Sequence, residues 1–122
     1  MSLHRFNPAH LPPDGVSPQE VRFVEFRVEP WPEGDKIRVH AKITPFLEPP
    51  DLEAVLFTTD GDEISSVNIV ENIDFNLVFT MHIRSPSTDG KYTLTGRILY
   101  EDFGVVHEAS AHFELPSSVG RE

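Results

Sequence analysis

The sequence predicts an all-β chain, a sandwich of seven antiparallel strands, and three observations carry that reading. Valine, isoleucine and threonine total 26, against 5 alanines and 3 lysines, which is the bias of side chains that pack on pleated surfaces rather than on helices. The 11 prolines, at 8, 12, 13, 18, 30, 32, 45, 49, 50, 86 and 116, fall between alternating segments, where no ladder hydrogen bond is lost. Between them lie seven stretches of period-two hydrophobicity, with turn residues about every ten positions.

In 21–28, Val24, Phe26 and Val28 share a face. In 36–43, Ile37, Val39, Ala41 and Ile43 oppose Lys36, Arg38, His40 and Lys42, the clearest strand of the chain. The segments 52–59 and 63–70 flank Asp60-Gly61, a dipeptide suited to the two positive φ angles of a type I′ hairpin turn. Pairing Thr59 with Asp62 then sets Phe57 opposite Ile64 and Ala54 opposite Val67. Phe75, Leu77, Phe79, Met81 and Ile83 alternate with Asn76, Val78, Thr80 and His82 in the fifth segment, and turn residues follow over 85–90. The last hairpin joins 91–100 to 105–114 around Asp102-Phe103. Its register pairs Tyr100 with Val105, Ile98 with His107, Gly96 with Ala109 and Leu94 with Ala111 on one side. Thr95 with Ser110, Arg97 with Glu108 and Leu99 with Val106 fall on the other, so turn length and alternation agree. Residues 1–19 read as an extended proline-rich arm, 20–115 as the sandwich domain and 116–122 as a short polar tail.

The run Thr88-Asp89-Gly90-Lys91-Tyr92-Thr93-Leu94 resembles the tyrosine corner of immunoglobulin-like and fibronectin type III-like domains, in which the phenol bonds backbone a few residues upstream. The resemblance implies an immunoglobulin-like sandwich with Tyr92 in a structural part. It is one of superfold rather than family: Leu94 stands where antibody-type domains carry their second core cysteine, and the spacing from Pro86 to Tyr92 differs from the fibronectin pattern. A superfold does not specify a function.

At 122 residues and 39% apolar composition the chain can build one core without staples. With no cysteine, disulfides, thiol nucleophiles and thiolate metal sites are excluded. A net charge of −10 repels phosphate backbones, and with no local basic patch legible no nucleic-acid partner is expected. No apolar run is long enough for a membrane helix, and no export signal is legible, so no membrane is expected and the chain is placed in the cytoplasm. The strand-turn-helix and helical catalytic motifs do not occur, so the chain is read as a non-enzyme. It receives no catalytic, metal or cofactor residue.

The expected function is a protein-interaction or structural module, with weak homodimerisation or a protein partner. Its interface is an outward apolar stripe of Val55, Phe57, Ile64, Leu99 and Val106. Phe46, Leu47 and Phe103 form a recognition cluster where the loop after the second strand meets the last hairpin. The alternatives are a small-molecule or carbohydrate-binding module using Trp31, Phe46 and Phe103, and an accessory domain to an enzyme on another chain. Trp31 is expected to cover the core beside Gly96. Three further clusters carry little: the acidic Asp60, Asp62, Glu63, Glu33, Asp35 and Asp89 as solvated turns, His40 and His82 as free surface imidazoles, and His107 as a hydrogen-bonded histidine at the core edge.

Overall fold

In the computed structural model residues 15–83 and 89–115 are described. Along them run β1 (Phe23–Pro30), β2 (Lys36–Ile43), β3 (Asp51–Thr58), β4 (Glu63–Ile69), β5 (Asn76–His82), β6 (Lys91–Tyr100) and β7 (Gly104–Glu114). One antiparallel sheet has the order β1-β2-β5 and the other β4-β3-β6-β7. The protein is a seven-stranded antiparallel β-sandwich, consistent with an immunoglobulin-like fold in overall architecture.

Alternation decides what lies between the sheets. In β2 every second residue, Ile37, Val39, Ala41 and Ile43, is buried. Leu52, Ala54 and Leu56 of β3, Leu77 and Met81 of β5 and Leu94 and Ile98 of β6 meet them. Tyr92 is 3% exposed and stacks on Phe113 at 5.4 Å. The upstream segment in which the tyrosine-corner resemblance seeks an acceptor, like part of the expected 85–90 turn, lies outside the described residues. The core has two lobes, one around Ile37, Leu56, Met81 and Leu94 and one around Ile43, Phe46, Leu77 and Ile98, and Phe26 and Phe79 pack against both. Between the lobes sits Gly96. A Cβ there would lie 2.6 Å from the Phe26 ring, so the missing side chain is the space Phe26 fills. Trp31 does not cover this spot.

Both hairpins depart from the expected register near their tips. In the β3–β4 turn only Gly61 has positive φ, at 91°; Gly61 N–H bonds Thr58 O and Thr58 N–H bonds Asp62 O. This is a type I turn closed by a left-handed glycine, one residue longer than a type I′ loop. Ala54 still faces Val67, but Phe57 now pairs with Glu63, and Ile64 becomes the extra residue of a bulge. The β6–β7 hairpin shifts in the same sense, with its left-handed glycine one place later: Phe103 N–H bonds Tyr100 O, Tyr100 pairs with Gly104 (φ 71°) and Leu99 with Val105, and Val106 is the extra residue. A third bulge, between Phe23 and Glu25 of β1, leaves Val24 61% exposed while Phe23 joins the core. Val24 therefore does not share the inward face of Phe26 and Val28.

The chain docks on the sandwich before residue 20. Val16 N–H bonds Pro45 O, Leu47 N–H bonds Val16 O, a 3₁₀ turn spans Pro18–Glu20, and Val21 is fully buried. The rest of the expected arm and the 116–122 tail lie outside the described residues.

Candidate functional site

The expected apolar stripe does not assemble on the outer face of the four-stranded sheet. Ile64 and Val106, each at a bulge, pack against the core, because an inserted residue inverts the local pleat. Val55 does point outward, but in a central strand between Ser66 and Thr95, and it is only 5% exposed. Phe57 and Leu99 remain, half-buried and six residues apart along the sheet by their β6 registers, about 20 Å. Between them Arg97 bridges Glu108 at 2.7 Å and Glu53 at 3.1 Å, so the middle of this face is polar.

The three residues of the expected recognition cluster separate in the same way. Phe46 is fully buried and meets Phe75 edge-on at 4.8 Å; it plugs the core. Leu47 and Phe103 are exposed, 41% and 48%. Tyr100 Oη donates to Glu48 O at 2.8 Å, tying the β2–β3 loop to the β6–β7 hairpin at one end of the sandwich. Burial and the nearby Glu48 push the Tyr100 hydroxyl well above its ordinary pKa. The β4–β5 link joins the same end: Asn72 N–H bonds Pro50 O, Glu71 N–H bonds Asp51 Oδ1, and Asn72 Nδ2 donates to Asp74 O. It adds Val70 and Ile73, 73% and 46% exposed, while Val105 follows the hairpin at 50%. Sequence reasoning missed Val70 and Ile73 because they follow β4 in the link, and Val105 because the bulge at Val106 shifts its partner from Tyr100 to Leu99 and so turns it outward.

The outer face of the three-stranded sheet has a different character. Glu25, Arg27 and Glu29 of β1 lie opposite Lys42, His40 and Arg38 of β2, and Asn76, Val78, Thr80 and His82 of β5 flank the other side. Trp31 lies here rather than over the core, with Lys36 Nζ 4.5 Å and the Arg38 guanidinium 5.5 Å from its ring. Arg27 pairs with Glu25 at 2.7 Å and His40 Nε2 lies 3.0 Å from Glu29 Oε1. The His40 hydrogen bond, helped by His40, Arg38 and Arg27 charge, holds the Glu29 carboxyl below the usual range. His40 is therefore not a free imidazole. The ladder sets His82 against Lys36 and His40 against Val78, four residues apart and about 13 Å, too far to share an ion.

The remaining candidates hold no metal-type cluster: among the described residues no group of three histidine, aspartate or glutamate side chains converges. Asp89 accepts instead from Thr59 Oγ1 at 2.9 Å and from Lys91 N–H at 3.0 Å. His107 lies at the core edge as expected, its Nδ1 accepting from Phe23 N–H at 3.1 Å. Burial, then the nearby Arg22 charge, lowers its pKa. A cleft of about 360 Å³ opens beside Thr59, Lys91, Thr93 and His112, with Thr93 Oγ1 and His112 Nδ1 already bonded to each other at 2.9 Å. No helix among the described residues is long and apolar enough to cross a membrane.

No protein-family model and no curated protein matches the sequence. Solved structures do share the fold. A glycosyl hydrolase family 2 member from Bacteroides cellulosilyticus superposes with a TM-score of 0.59 at 14% identity, over 77% of this chain and 14% of that one. A second structure of such a member, from Bacteroides cellulosilyticus DSM 14838, gives 0.57 at 12% identity, over 77% and 15%. The β-glucuronidase of Ruminococcus gnavus in complex with D-glucuronic acid gives 0.51 at 13%, over 79% and 16%. What is shared is the sandwich. The chain spans only about a seventh of the length of these enzymes.

Proposed function

We propose that this chain is a non-catalytic sandwich domain that accompanies a carbohydrate-active catalytic unit and docks on it through the apolar end. One observation carries the reading: of seven large hydrophobic residues exposed among the described ones, Leu47, Val70, Ile73, Phe103 and Val105 lie at that end. Loops held on a rigid scaffold are the usual place for such contacts, and grouped apolar side chains mark interfaces where scattered ones do not. The proportions of the enzymes that share the fold support the same reading, since there too a sandwich of this size is a minor part of the chain. The resemblance is compatible with an accessory role and supplies no catalytic group to this chain.

The test places a photo-crosslinking benzoylphenylalanine at 103 in the source organism. Crosslinks from 103 to a polypeptide of glycosyl hydrolase sequence are the expected result. Crosslinks only to a second copy of this chain, or none, overturn it. Stability separates the two loop aromatics beforehand: Phe46→Ser costs about 3–5 kcal/mol, whereas Phe103→Ser stays within about 0.5 kcal/mol, both read by urea denaturation.

A further inference from the structure

The outer face of the three-stranded sheet concentrates positive charge on an acidic molecule. Four of the seven lysines and arginines among the described residues lie on it, Arg27, Lys36, Arg38 and Lys42, against Arg22, Lys91 and Arg97 elsewhere. Among the described residues of the strands on this face, only Glu25 and Glu29 oppose them. The chain total is −10, while the described charges of this face sum to +2. Lys36, Arg38 and Lys42 have no ion pair among the described residues. Lys36 and Arg38 are moreover drawn onto one indole, at 4.5 and 5.5 Å, so two like charges are held side by side. An anion placed between them relieves that repulsion.

We infer that this face binds an acidic polysaccharide, whose successive carboxylates meet Lys36, Arg38 and Lys42 along β2. Outward residues of one strand are about 7 Å apart, so Lys36 to Lys42 covers about 20 Å, the reach of an oligosaccharide rather than of one sugar. Thr80 and Asn76, opposite Arg38 and Lys42 in the β5 register and exposed, add uncharged hydrogen-bonding groups suited to sugar hydroxyls. A protein partner fits less well, because interface centres are depleted of lysine and need buried apolar anchors, and Val78 is the one large apolar side chain exposed on β5. A nucleic acid fits less well again. Its dense phosphates meet the net negative charge of the chain, and single strands need a free aromatic face for stacking, whereas cations lie over the Trp31 ring. The inference goes beyond the accessory-domain reading and stands or falls separately from it.

The experiment titrates the full chain with oligogalacturonate by calorimetry at low salt. Controls are the fully methyl-esterified oligomer, a polyglutamate peptide and a single-stranded oligodeoxynucleotide. The expected result is binding of oligogalacturonate alone, weakened by salt. Lys36→Gln with Arg38→Gln should weaken it about tenfold or more, while Lys91→Gln, on the other sheet, leaves it unchanged. Trp31→Ala, which frees the two cations from their ring, should weaken binding without abolishing it. No binding, equal binding of the methyl ester, tighter binding of the peptide or oligonucleotide, or indifference to the double substitution each overturns it.

Discussion

At the scale of single residues, His107 and Gly96 carry the most. The neutral imidazole of His107 accepts the Phe23 N–H and joins β1 to β7 across the seam between the sheets. Its folded pKa is depressed by burial and by Arg22, so the unfolded chain takes up the proton first as the solution is acidified. The contribution is therefore complete above the ordinary imidazole value near pH 6.5 and is lost as pH falls from there toward the folded value. His107→Leu should cost about 1–3 kcal/mol at pH 7.5 by leaving the Phe23 N–H without an acceptor. It should also flatten the fall in stability between pH 7.5 and pH 5; denaturation curves at both values check this, and an unaltered slope would remove the clasp. At Gly96 the ring of Phe26 occupies the space of a side chain, and Gly96→Ala should cost about 1–3 kcal/mol by overpacking. Adding Phe26→Leu should recover part of that loss, which a double-mutant cycle in urea measures.

At the scale of elements, alternation made the seven strands legible. The partners Arg97 with Glu108 and Gly96 with Ala109 could be paired from sequence because long stretches of β6 and β7 obey strict period two. The bulges were not legible in that way, since a single inserted residue reverses the inside and outside of whatever follows it. The turn residues fit both framings: Asp60-Gly61 suits the centre of a type I′ turn, and Thr58-Thr59-Asp60-Gly61, with its glycine fourth, suits a type I turn as well. Choosing the wrong turn put Ile64 outside, and the same error in the last hairpin put Val106 there. Val106→Ser and Ile64→Ser should each cost about 1–2 kcal/mol through lost core packing, more than Leu99→Ser on the outer face. The reverse ranking in thermal melts would show the bulges to be misplaced. The basic face was visible as Lys36, Arg38, His40 and Lys42 on one side of β2, but a chain total of −10 concealed it, because net charge averages over faces that the fold separates.

For the whole molecule, the sandwich separates an apolar end from a basic side, and the two surfaces leave room for different partners at once. The bulges have a consequence of another kind. The four strands at the margins of the two sheets are β1, β5, β4 and β7, and all three bulges fall on this set, at Val24, Ile64 and Val106. A strand that kinks and coils offers a poor template for a foreign backbone, which needs a straight row of free amides and carbonyls to add in register. Among the described residues, three of the four borders are thus spoiled against runaway stacking into fibrils, and β5 keeps an unbroken rim.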